Sequence, residues 1–372
     1  MSATPIKAFV HLARSQDAEG WRAAHKSGSL VGINDETPYG YGRAERMGCA
    51  VQFSQAGEES RFGKVLRLTL RLLLGFDVVH AWRQRAQLAS ADVIWAHTES
   101  QYLAVASVLS IIGARTPLIG QSVWLLDRWP KRGPLFRALC RRLVRRVDIM
   151  TFLSPLNRAA AAARFPWART ELVLFGIIAD NPVEPAPRDA SPLRVLAIGN
   201  DQDRDWGALI KAVGGLTDVR LTILSWNCPQ RLAAGVENVE IRPARTNDEL
   251  NQAFAIANVI CVPLRPNLHA SGITVLEEGV LLGIPVVASD VGGLDAYFAR
   301  DEVRYVPPGD PMALRAAILD IAADPQAALA QASKAQRRMR SGEISMDAYV
   351  RRHVELSRDI LAKRRGRLDQ PA

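Results

Sequence analysis

Short apolar runs alternate with longer amphipathic stretches along the whole chain. Runs of this kind are typical of buried parallel strands, and the stretches between them have helical periodicity. The first half has predicted strands at residues 6–12, 51–53, 76–80, 92–97, 117–120, 149–153 and 171–175. The second half has predicted strands at residues 194–198, 220–224, 239–242, 259–262 and 286–288. Strands that alternate with helices in both halves predict an α/β protein with two doubly wound parallel sheets.

The chain of 372 residues is too long for one typical core, so two domains are expected. Residues 181–192 contain four prolines and are typical of an interdomain linker. We therefore predict a first domain at 1–178, a linker at 179–192 and a second domain at 193–344. A last helix is predicted at 345–364, followed by a basic, frayed tail at 365–372.

Composition narrows the class of protein. Apolar residues make up 48% and charged residues 23%, as in ordinary globular proteins. The four cysteines, Cys49, Cys140, Cys228 and Cys261, have no CxxC spacing, which fits neither a zinc site nor a disulfide framework and suits a reducing cytoplasm. The sequence shows no signal peptide and no apolar run of membrane-spanning length, so a cytoplasmic location is expected. A net charge of +9 favours an anionic partner: nucleotide phosphates, nucleic acid or a membrane surface.

Two basic amphipathic stretches favour the membrane surface. Basic residues in 61–75 are spaced by three, three and four on one helical face, and 128–146 holds eight basic residues and no acidic one. Leucine and phenylalanine interleave with them, which suits an anionic lipid leaflet better than a nucleic-acid backbone. A surface helix packed on its own domain is the alternative for 61–75. The predicted membrane-facing residues are Arg61, Lys64, Arg67, Arg71, Arg137, Arg141, Arg142 and Arg145.

The first half has two groups of candidate site residues. Tyr39, Gly40, Tyr41 and Gly42 form a glycine-rich loop that either faces a cleft, where it would contact an acceptor, or is a plain turn. His97 and Glu99 follow a predicted strand, at the sheet edge where ligands bind in open α/β sheets. A structural role for the histidine is the alternative.

The stretch 270–295 has the most informative pattern in the second half. Ser271 and Gly272 lie where a helix would start, and helix N-termini bind phosphate readily. Glu277 and Glu278 lie within that helix, where a carboxylate can accept hydrogen bonds from vicinal sugar hydroxyls. An ordinary helix–strand unit is the alternative interpretation.

The sequence SGITVLEEGVLLGIPVVASDVGG at 271–293 strongly resembles the donor-site signature of glycosyltransferase family 4, the "glycosyl transferases group 1" of the GT-B clan. The resemblance extends over the second half, whereas the first half matches in layout alone. It implies a bacterial polysaccharide or glycolipid glycosyltransferase with the GT-B fold, in which two Rossmann-like domains face a cleft. The first domain would bind the acceptor, and the last helix would cross back onto it.

The resemblance also implies roles for single residues. Glu278 would bind the ribose hydroxyls of the nucleotide, whereas a second glutamate of the clan is replaced by Ala270. Arg204 takes the place of a diphosphate-binding lysine and can clamp phosphate with two hydrogen bonds. The remaining implied donor-site residues are Asn200, Ser271, Gly272, Ile273 and Thr274. Arg265 and His269, beside the missing carboxylate, would suit an anionic donor sugar such as a uronic acid, although a neutral hexose is the stronger expectation.

The predicted function is transfer of a sugar from a nucleotide diphosphate sugar, UDP favoured over GDP, to a lipid-linked or polysaccharide acceptor at the inner face of the cytoplasmic membrane. Arg204 would stabilise the leaving diphosphate. Family members retain anomeric configuration without a required base, and if this enzyme inverts, His97 or Glu99 would be the base. No metal, no further cofactor and no nucleic-acid partner are expected. The alternatives are a nucleotide-sugar epimerase or hydrolase of the same fold, or a non-catalytic membrane- or nucleic-acid-binding protein.

Overall fold

The structure, a computed structural model, describes the backbone of residues 4–368 and the side chains of residues 4–366. The chain divides into two compact units. The first unit contains the residues up to Lys26, Asp35–Val173 and the residues from Tyr349 onward. The second contains Ser27–Asn34 and Leu174–Ala348.

The first unit is built on a six-stranded parallel sheet. Its strands are β1 (Ile6–His11), β2 (Cys49–Phe53), β3 (Val93–Ala96), β4 (Leu118–Gln121), β5 (Ile149–Phe152) and β6 (Thr170–Leu172), in the spatial order β2-β1-β3-β4-β5-β6. Its helices are α1 (Ala18–Lys26), α2 (Arg61–Leu74), α3 (Val78–Arg83), α4 (Arg85–Ser90), α5 (Glu99–Ile112), α6 (Leu125–Arg128), α7 (Pro134–Val144) and α8 (Pro155–Arg164). Every residue of β3, β4 and β5 is buried, as expected for strands covered on both faces.

The second unit repeats this architecture. Its strands are β7 (Leu193–Ile198), β8 (Val219–Leu224), β9 (Val239–Arg242), β10 (Val259–Val262), β11 (Val286–Ser289) and β12 (Arg304–Val306), all parallel, in the order β12-β11-β10-β7-β8-β9. Its helices are α9 (Trp206–Val213), α10 (Asn247–Ile256), α11 (Ile273–Leu281), α12 (Pro311–Ala323) and α13 (Pro325–Arg340). The last helix, α14 (Met346–Leu368), begins in this unit and joins the first from Tyr349. The prediction of two doubly wound α/β halves is confirmed.

Some sequence-based expectations differ from the structure. Residues 76–80, predicted as a strand, lead into α3, because the Asp77 side chain accepts a hydrogen bond from the His80 amide at 3.0 Å and caps the helix. Strand β12 was not predicted, since its three residues lack a recognisable apolar run. The last helix continues through residue 368, and the rest of the predicted tail, 369–372, lies outside the described residues.

The proline-rich segment 181–192 packs on the second unit. The Val183 amide donates to the carbonyl of Leu281 at 2.9 Å, and the Gln336 amide nitrogen donates to the Val183 carbonyl at 2.8 Å. The Arg188 guanidinium donates to the Ala257 carbonyl at 2.6 Å. The proline-rich segment is therefore an ordered part of the second unit. Residues 174–180 and the distant segment 27–34 also belong to this unit.

None of the described helices is both long enough and apolar enough to cross a membrane.

Helix α11 carries a deeply buried carboxyl group, that of Glu277, which is 0% exposed. Burial, together with the adjacent Glu278, raises the pKa of Glu277 well above its usual value. The folded protein therefore binds a proton that the unfolded chain releases near pH 4.5, and this group lowers the free energy of unfolding as the pH rises above that value.

We expect the variant Glu277→Gln to lack this fall in the free energy of unfolding with rising pH, because a neutral amide does not titrate. The melting temperature of the variant should fall less than that of the wild type between pH 5 and pH 8, with about 1.4 kcal/mol at stake for each unit of pKa shift. Differential scanning fluorimetry across that range measures the effect. The matched control is Glu237→Gln, an exposed glutamate of the same unit. Parallel pH profiles for wild type and Glu277→Gln would contradict the expectation.

Candidate functional site

A cavity of about 690 Å³ lies in the second unit, at the carboxyl ends of β7 and β8 and the start of α11. This edge is where open parallel sheets bind ligands. The cavity brings together five of the predicted donor-site residues, which are Asn200, Arg204, Gly272, Thr274 and Glu278. These residues come from two segments about seventy positions apart in sequence, and the parallel sheet places both at one edge.

Arg204 is the buried cation of this cavity. The residue is 4% exposed, and its Nε and Nη1 atoms have no hydrogen-bond partner among the described residues. Burial lowers the pKa of the guanidinium to about 10, opposed by the nearby Asp201, Cys261 and Glu278, so the group stays charged at neutral pH. A buried, unpaired cation is costly unless an anion completes it.

Two glycines make room for this guanidinium. A Cβ atom on Gly199 would overlap Arg204 Nε, and a Cβ atom on Gly272 would overlap Arg204 Nη1. Both glycines have positive φ angles, of 144° and 85°. The guanidinium therefore lies against the backbone of two loops, an approach that a larger residue at either position would block.

Backbone hydrogen bonds fix the Arg204 loop. The Asp205 amide donates to the Pro263 carbonyl at 2.9 Å, and the Arg265 amide donates to the Asp203 carbonyl at 2.8 Å. On the other side, Asn200 Oδ1 accepts a hydrogen bond from the Trp226 amide at 2.7 Å. The predicted residue Asn200 therefore both lines the cavity and positions the neighbouring loop after β8.

Glu278 is the more buried of two carboxylates that line the cavity, the other being Asp201. It is 7% exposed, and burial raises its pKa to about 7, while the Ile33 amide and Arg204 act in the opposite direction. The Ile33 amide donates to Glu278 Oε1 at 3.3 Å. The loop that carries Ile33 is held by Asn247, whose Oδ1 accepts from the Gly32 amide at 2.9 Å. The segment 27–34 thus forms part of the cavity wall.

The sequence analysis did not identify the segment 27–34 or the aromatic residue Trp226 as part of the cavity. Ser29, Val31 and Gly32 line the cavity although they precede it by more than 160 residues, and no local motif marks them. Trp226, 64% exposed, and Arg245 also line it. Both follow the carboxyl ends of strands, β8 and β9, and this position is the signal that could have identified them.

The predicted phosphate-binding amides at the start of α11 are partly engaged. The Ser271 amide donates to Asn267 Oδ1 at 3.2 Å, and the Ile273 amide donates to the Ala270 carbonyl at 3.4 Å. Neither Ser271 nor Ile273 lines the cavity. Gly272 does, as the N-cap residue of α11, so in this structure the amides at 271 and 273 are already committed to the local turn.

Arg265 and His269 also lie outside the cavity lining. Arg265 is exposed, whereas His269 is 3% exposed and its Nε2 lies 3.5 Å from Asp201 Oδ2 and 3.9 Å from Asp203 Oδ2. Although burial opposes the shift, the hydrogen bond from His269 holds the pKa of Asp201 below its usual value. The imidazole therefore faces carboxylates of the Arg204 loop.

The same three side chains, Asp201, Asp203 and His269, form a group that the sequence analysis did not recognise. Their ligating atoms lie within 4.8 Å of one another, close enough for one metal ion. The contact between the His269 imidazole and the two carboxylates also explains their proximity, because it joins the Arg204 loop to the segment before α11.

In the first unit, His97 lies in a buried aromatic cluster. Tyr39 stacks on its ring at 3.5 Å between centroids, and the Tyr41 hydroxyl lies 3.1 Å from His97 Nδ1 and 2.6 Å from the Tyr349 hydroxyl. The Tyr349 hydroxyl donates to Gln121 Oε1 at 2.7 Å. Burial, with a smaller effect of His353, lowers the pKa of His97 to about 3, so the ring is neutral and a weak base.

The remaining candidates of the first unit have structural contacts. Gly40, with φ 70°, and the half-buried Gly42 shape the Tyr39–Tyr41 turn, and Gly42 contacts the Thr37 side chain. Glu99 Oε2 accepts hydrogen bonds from the Val123 amide at 3.0 Å and the Trp124 amide at 3.3 Å. Burial raises the pKa of Glu99 despite these bonds. Its carboxylate therefore stabilises the loop before α6.

The predicted membrane-facing cations divide into two groups. Arg67 is 6% exposed and bonds to Glu59 at 3.0 Å and Asp77 at 2.8 Å, so its assignment to the exposed face was wrong. Arg137 is half-buried and donates to the Trp129 and Pro130 carbonyls. The exposed members are Arg61, Lys64, Arg71, Arg141, Arg142 and Arg145.

Comparisons with known proteins agree with this architecture. Residues 193–324 match the family model for glycosyl transferases group 1. No curated protein sequence matches the chain. Among solved structures, sucrose-phosphate synthase from Thermosynechococcus elongatus superposes with a TM-score of 0.71 at 17% identity, covering 96% of this chain and 100% of that one.

Two further solved structures have the same fold. HepE of Anabaena, in complex with UDP and glucose, gives a TM-score of 0.64 at 17% identity over 94% of this chain and 98% of that one. A trehalose 6-phosphate synthase from Burkholderia multivorans gives 0.63 at 14% identity over 99% of both chains. The predicted resemblance is confirmed: the chain has the GT-B fold, and its residues 193–324 match the family of group 1 glycosyl transferases.

Proposed function

We propose that the protein transfers a sugar from a UDP-sugar to a lipid-linked or polysaccharide acceptor at the inner face of the cytoplasmic membrane. One observation carries the proposal. A charged guanidinium, that of Arg204, lies buried between two glycines with two nitrogens unpaired, in the same cavity as Glu278. Such a cation calls for an anionic ligand, and a nucleoside diphosphate supplies one.

Arg204 would act on the leaving group. Breaking the bond between sugar and diphosphate places negative charge on the diphosphate, and a preorganised buried cation stabilises that charge without reorganisation. The unpaired Nε and Nη1 atoms are two donors of one planar fork, suited to two phosphate oxygens.

Glu278 and Trp226 would hold the nucleoside. The Glu278 carboxylate can accept hydrogen bonds from the two ribose hydroxyls, replacing the long bond from the Ile33 amide. Trp226 is 64% exposed at the cavity and offers a flat aromatic surface for a nucleobase, a contact worth about 1–3 kcal/mol. The similarity to HepE, which was solved with UDP-glucose, supports UDP as the nucleotide.

The contacts of His97 and Glu99 favour a mechanism that uses neither as a base. His97 is neutral and hydrogen-bonded to Tyr41, and Glu99 is engaged by two backbone amides. Retention of configuration, the outcome that the family resemblance implies, requires no base, because the leaving phosphate can take the proton of the acceptor hydroxyl. His97 and Glu99 remain the candidates if the product is inverted.

We favour a neutral hexose as the donor sugar. His269, one of the two cations that would suit a uronic acid, faces Asp201 and Asp203. A uronic acid therefore depends on Arg265, which is exposed. If the variant Arg265→Ala used hexose and uronate donors equally well, the uronic acid alternative would be rejected.

The exposed surface of α2 supports membrane association. A stripe of apolar residues spaced at helical intervals points to solvent, and the exposed fractions of its outermost members are 79%, 62%, 84% and 73% for Phe62, Val65, Leu72 and Leu73. The exposed cations Arg61 and Lys64 belong to the same helix. At the end of α2, Gly75 contacts Phe136 of α7, whose neighbour Leu135 is 86% exposed. An apolar stripe on a helix that also carries exposed cations suits the interface of an anionic bilayer.

The central test is binding and turnover of UDP-glucose by Glu278 variants. Glu278→Ala should weaken UDP binding by about 10- to 100-fold, because hydrogen bonds to a charged group contribute about 1.5–3 kcal/mol. Since protonation removes an acceptor, wild-type affinity should also fall as the pH drops below the pKa of Glu278, about 7. Isothermal titration calorimetry measures both effects, and Glu277→Gln, altered in the core one residue away, is the control.

Unchanged UDP affinity in Glu278→Ala would contradict the donor site. Release of free glucose at the same rate with and without membrane extract would favour the hydrolase alternative, and failure to bind any nucleotide would favour a non-catalytic protein.

A second prediction concerns the space around Arg204. Gly272→Ala would place a Cβ atom against Arg204 Nη1 and Val262 Cγ1, so we expect at least a tenfold loss of UDP affinity. Gly215→Ala is the matched control, since Gly215 has a similar φ of 78° but nothing within 4 Å of the added atom. Calorimetry with UDP, after circular dichroism to verify folding, separates the two. Equal losses would mean that backbone strain, and not Arg204, is responsible.

A third prediction concerns the membrane. The double variant Leu72→Ser and Leu73→Ser should reduce co-sedimentation with phosphatidylglycerol vesicles at least tenfold, because burying each leucine contributes about 1.5–3 kcal/mol. The control variant Ile111→Ser alters a 66% exposed residue of α5 outside the stripe, and it should co-sediment with the vesicles as the wild type does. Donor binding in solution should be the same for all three proteins. Vesicle binding by the double variant at the wild-type level would exclude α2 as the contact.

A further inference from the structure

A second cavity, of about 180 Å³, lies in the first unit at the carboxyl end of β1. Residues of α2, α3 and the first turns of α5 surround it, so it shares no residue with the donor cavity. Its position at the carboxyl edge of a parallel sheet is one at which ligands bind.

Two buried histidines form the inner wall of this cavity. His11 and His80 are each 1% exposed, and their rings stack with centroids 5.0 Å apart. Burial lowers the pKa of both rings, with an added effect of His80 on His11, whereas the nearby Asp77 opposes the shift at His80. The neutral form of both rings is therefore favoured. His11 Nδ1 has no hydrogen-bond partner among the described residues. An unpaired buried polar atom is destabilising and therefore needs an explanation.

The charge around the cavity is positive. Four arginines, Arg14, Arg67, Arg71 and Arg83, face two carboxylates, Glu59 and Asp77, a surplus of two cations. Both carboxylates are already paired, with Asp77 accepting from Arg67 at 2.8 Å and from the His80 amide at 3.0 Å. Arg71 is exposed, and its side chain makes no ion pair or hydrogen bond with the described residues.

We propose that this cavity binds the phosphate group of the acceptor. A phosphate can take hydrogen bonds from Arg71 and from a neutral imidazole N–H, and it also benefits from the N-terminus of the fourteen-residue helix α5. Arg67, Leu68 and Arg71 of α2 line the cavity, and the opposite side of α2 carries the apolar stripe. A phosphate attached to a lipid therefore fits this position, and a free sugar phosphate presents the same chemistry.

The inference rests on the proposed transfer to an acceptor, and its test is independent of activity. Protein labelled with ¹⁵N-histidine is titrated with inorganic phosphate in the absence of membranes. We expect the imidazole resonances of His11 and His80 to shift with millimolar affinity, while those of His353, buried elsewhere in the first unit, stay in place.

Two arginines of α2 form a matched pair of variants. Arg71→Gln should weaken phosphate binding about tenfold, since a charge-assisted hydrogen bond contributes about 1.5–3 kcal/mol. Arg61→Gln removes an equally exposed cation that does not line the cavity, and it should bind phosphate as the wild type does. Equal effects of the two variants, or no shift of either histidine in the wild type, would overturn the proposal.

Two further measurements separate the sources of the phosphate. Turnover of UDP-glucose with a soluble sugar phosphate and no membrane, lost in Arg71→Gln and kept in Arg61→Gln, would assign the cavity to free phosphates. Turnover that requires vesicles containing a lipid phosphate would assign it to lipid. Histidine shifts without any transferase activity would support phosphate binding in this cavity and reject the proposed function. Transferase activity without histidine shifts would support the proposed function and reject phosphate binding in this cavity.

Discussion

The burial of one cation, Arg204, organises the cavity of the second unit. A guanidinium that has left water needs compensating charge, and here Asp201 and Glu278 supply part of it. The backbone must also approach closely enough to exclude water, which is why glycine stands at both 199 and 272. The hydrogen bonds from Asp205 to Pro263 and from Arg265 to Asp203 then hold the two loops at that distance. Loop geometry, glycine positions and charge are thus consequences of a single requirement.

Two adjacent glutamates show how burial assigns different properties to identical side chains. Glu277 points into the core of the second unit, where burial raises its pKa and the adjacent Glu278 raises it further, against a smaller effect of the Ile177 backbone. Glu278 lies at the cavity with Arg204 and the Ile33 amide, which both oppose the effect of burial. A helix separates neighbouring residues by about 100°, so one side chain points into the protein interior beside Ile177 and Tyr297 and the other lines the cavity. Glu277 therefore lowers the stability of the fold as the pH rises, whereas Glu278 presents its carboxyl group to the cavity.

Sequence reasoning was most successful where the determining interactions are local. Buried strands such as β3 and β10 have unbroken apolar runs, and both sheets were predicted from them. The Gly272–Glu278 helix start has a spacing that could be read directly. The contribution of the 27–34 segment could not be read, because it depends on a hydrogen bond between residues 245 positions apart. Arg67 was misassigned for a related reason: helical spacing places it near the cationic face, and only Glu59 and Asp77, brought by tertiary structure, turn it inward.

The net charge of +9 is a sum over groups with different physical roles. Arg204 is buried, and its effect is confined to the donor cavity because low polarity strengthens short-range interactions. The exposed cations of α2 and α7 act through a screened field over about a Debye length, which attracts a charged surface but specifies no ligand. The cations around His11 and His80 lie between these limits, since Arg67 is buried and paired while Arg71 is exposed and unpaired. Composition therefore indicates an excess of cations, and burial determines whether each one acts at short range on its neighbours or through a screened field.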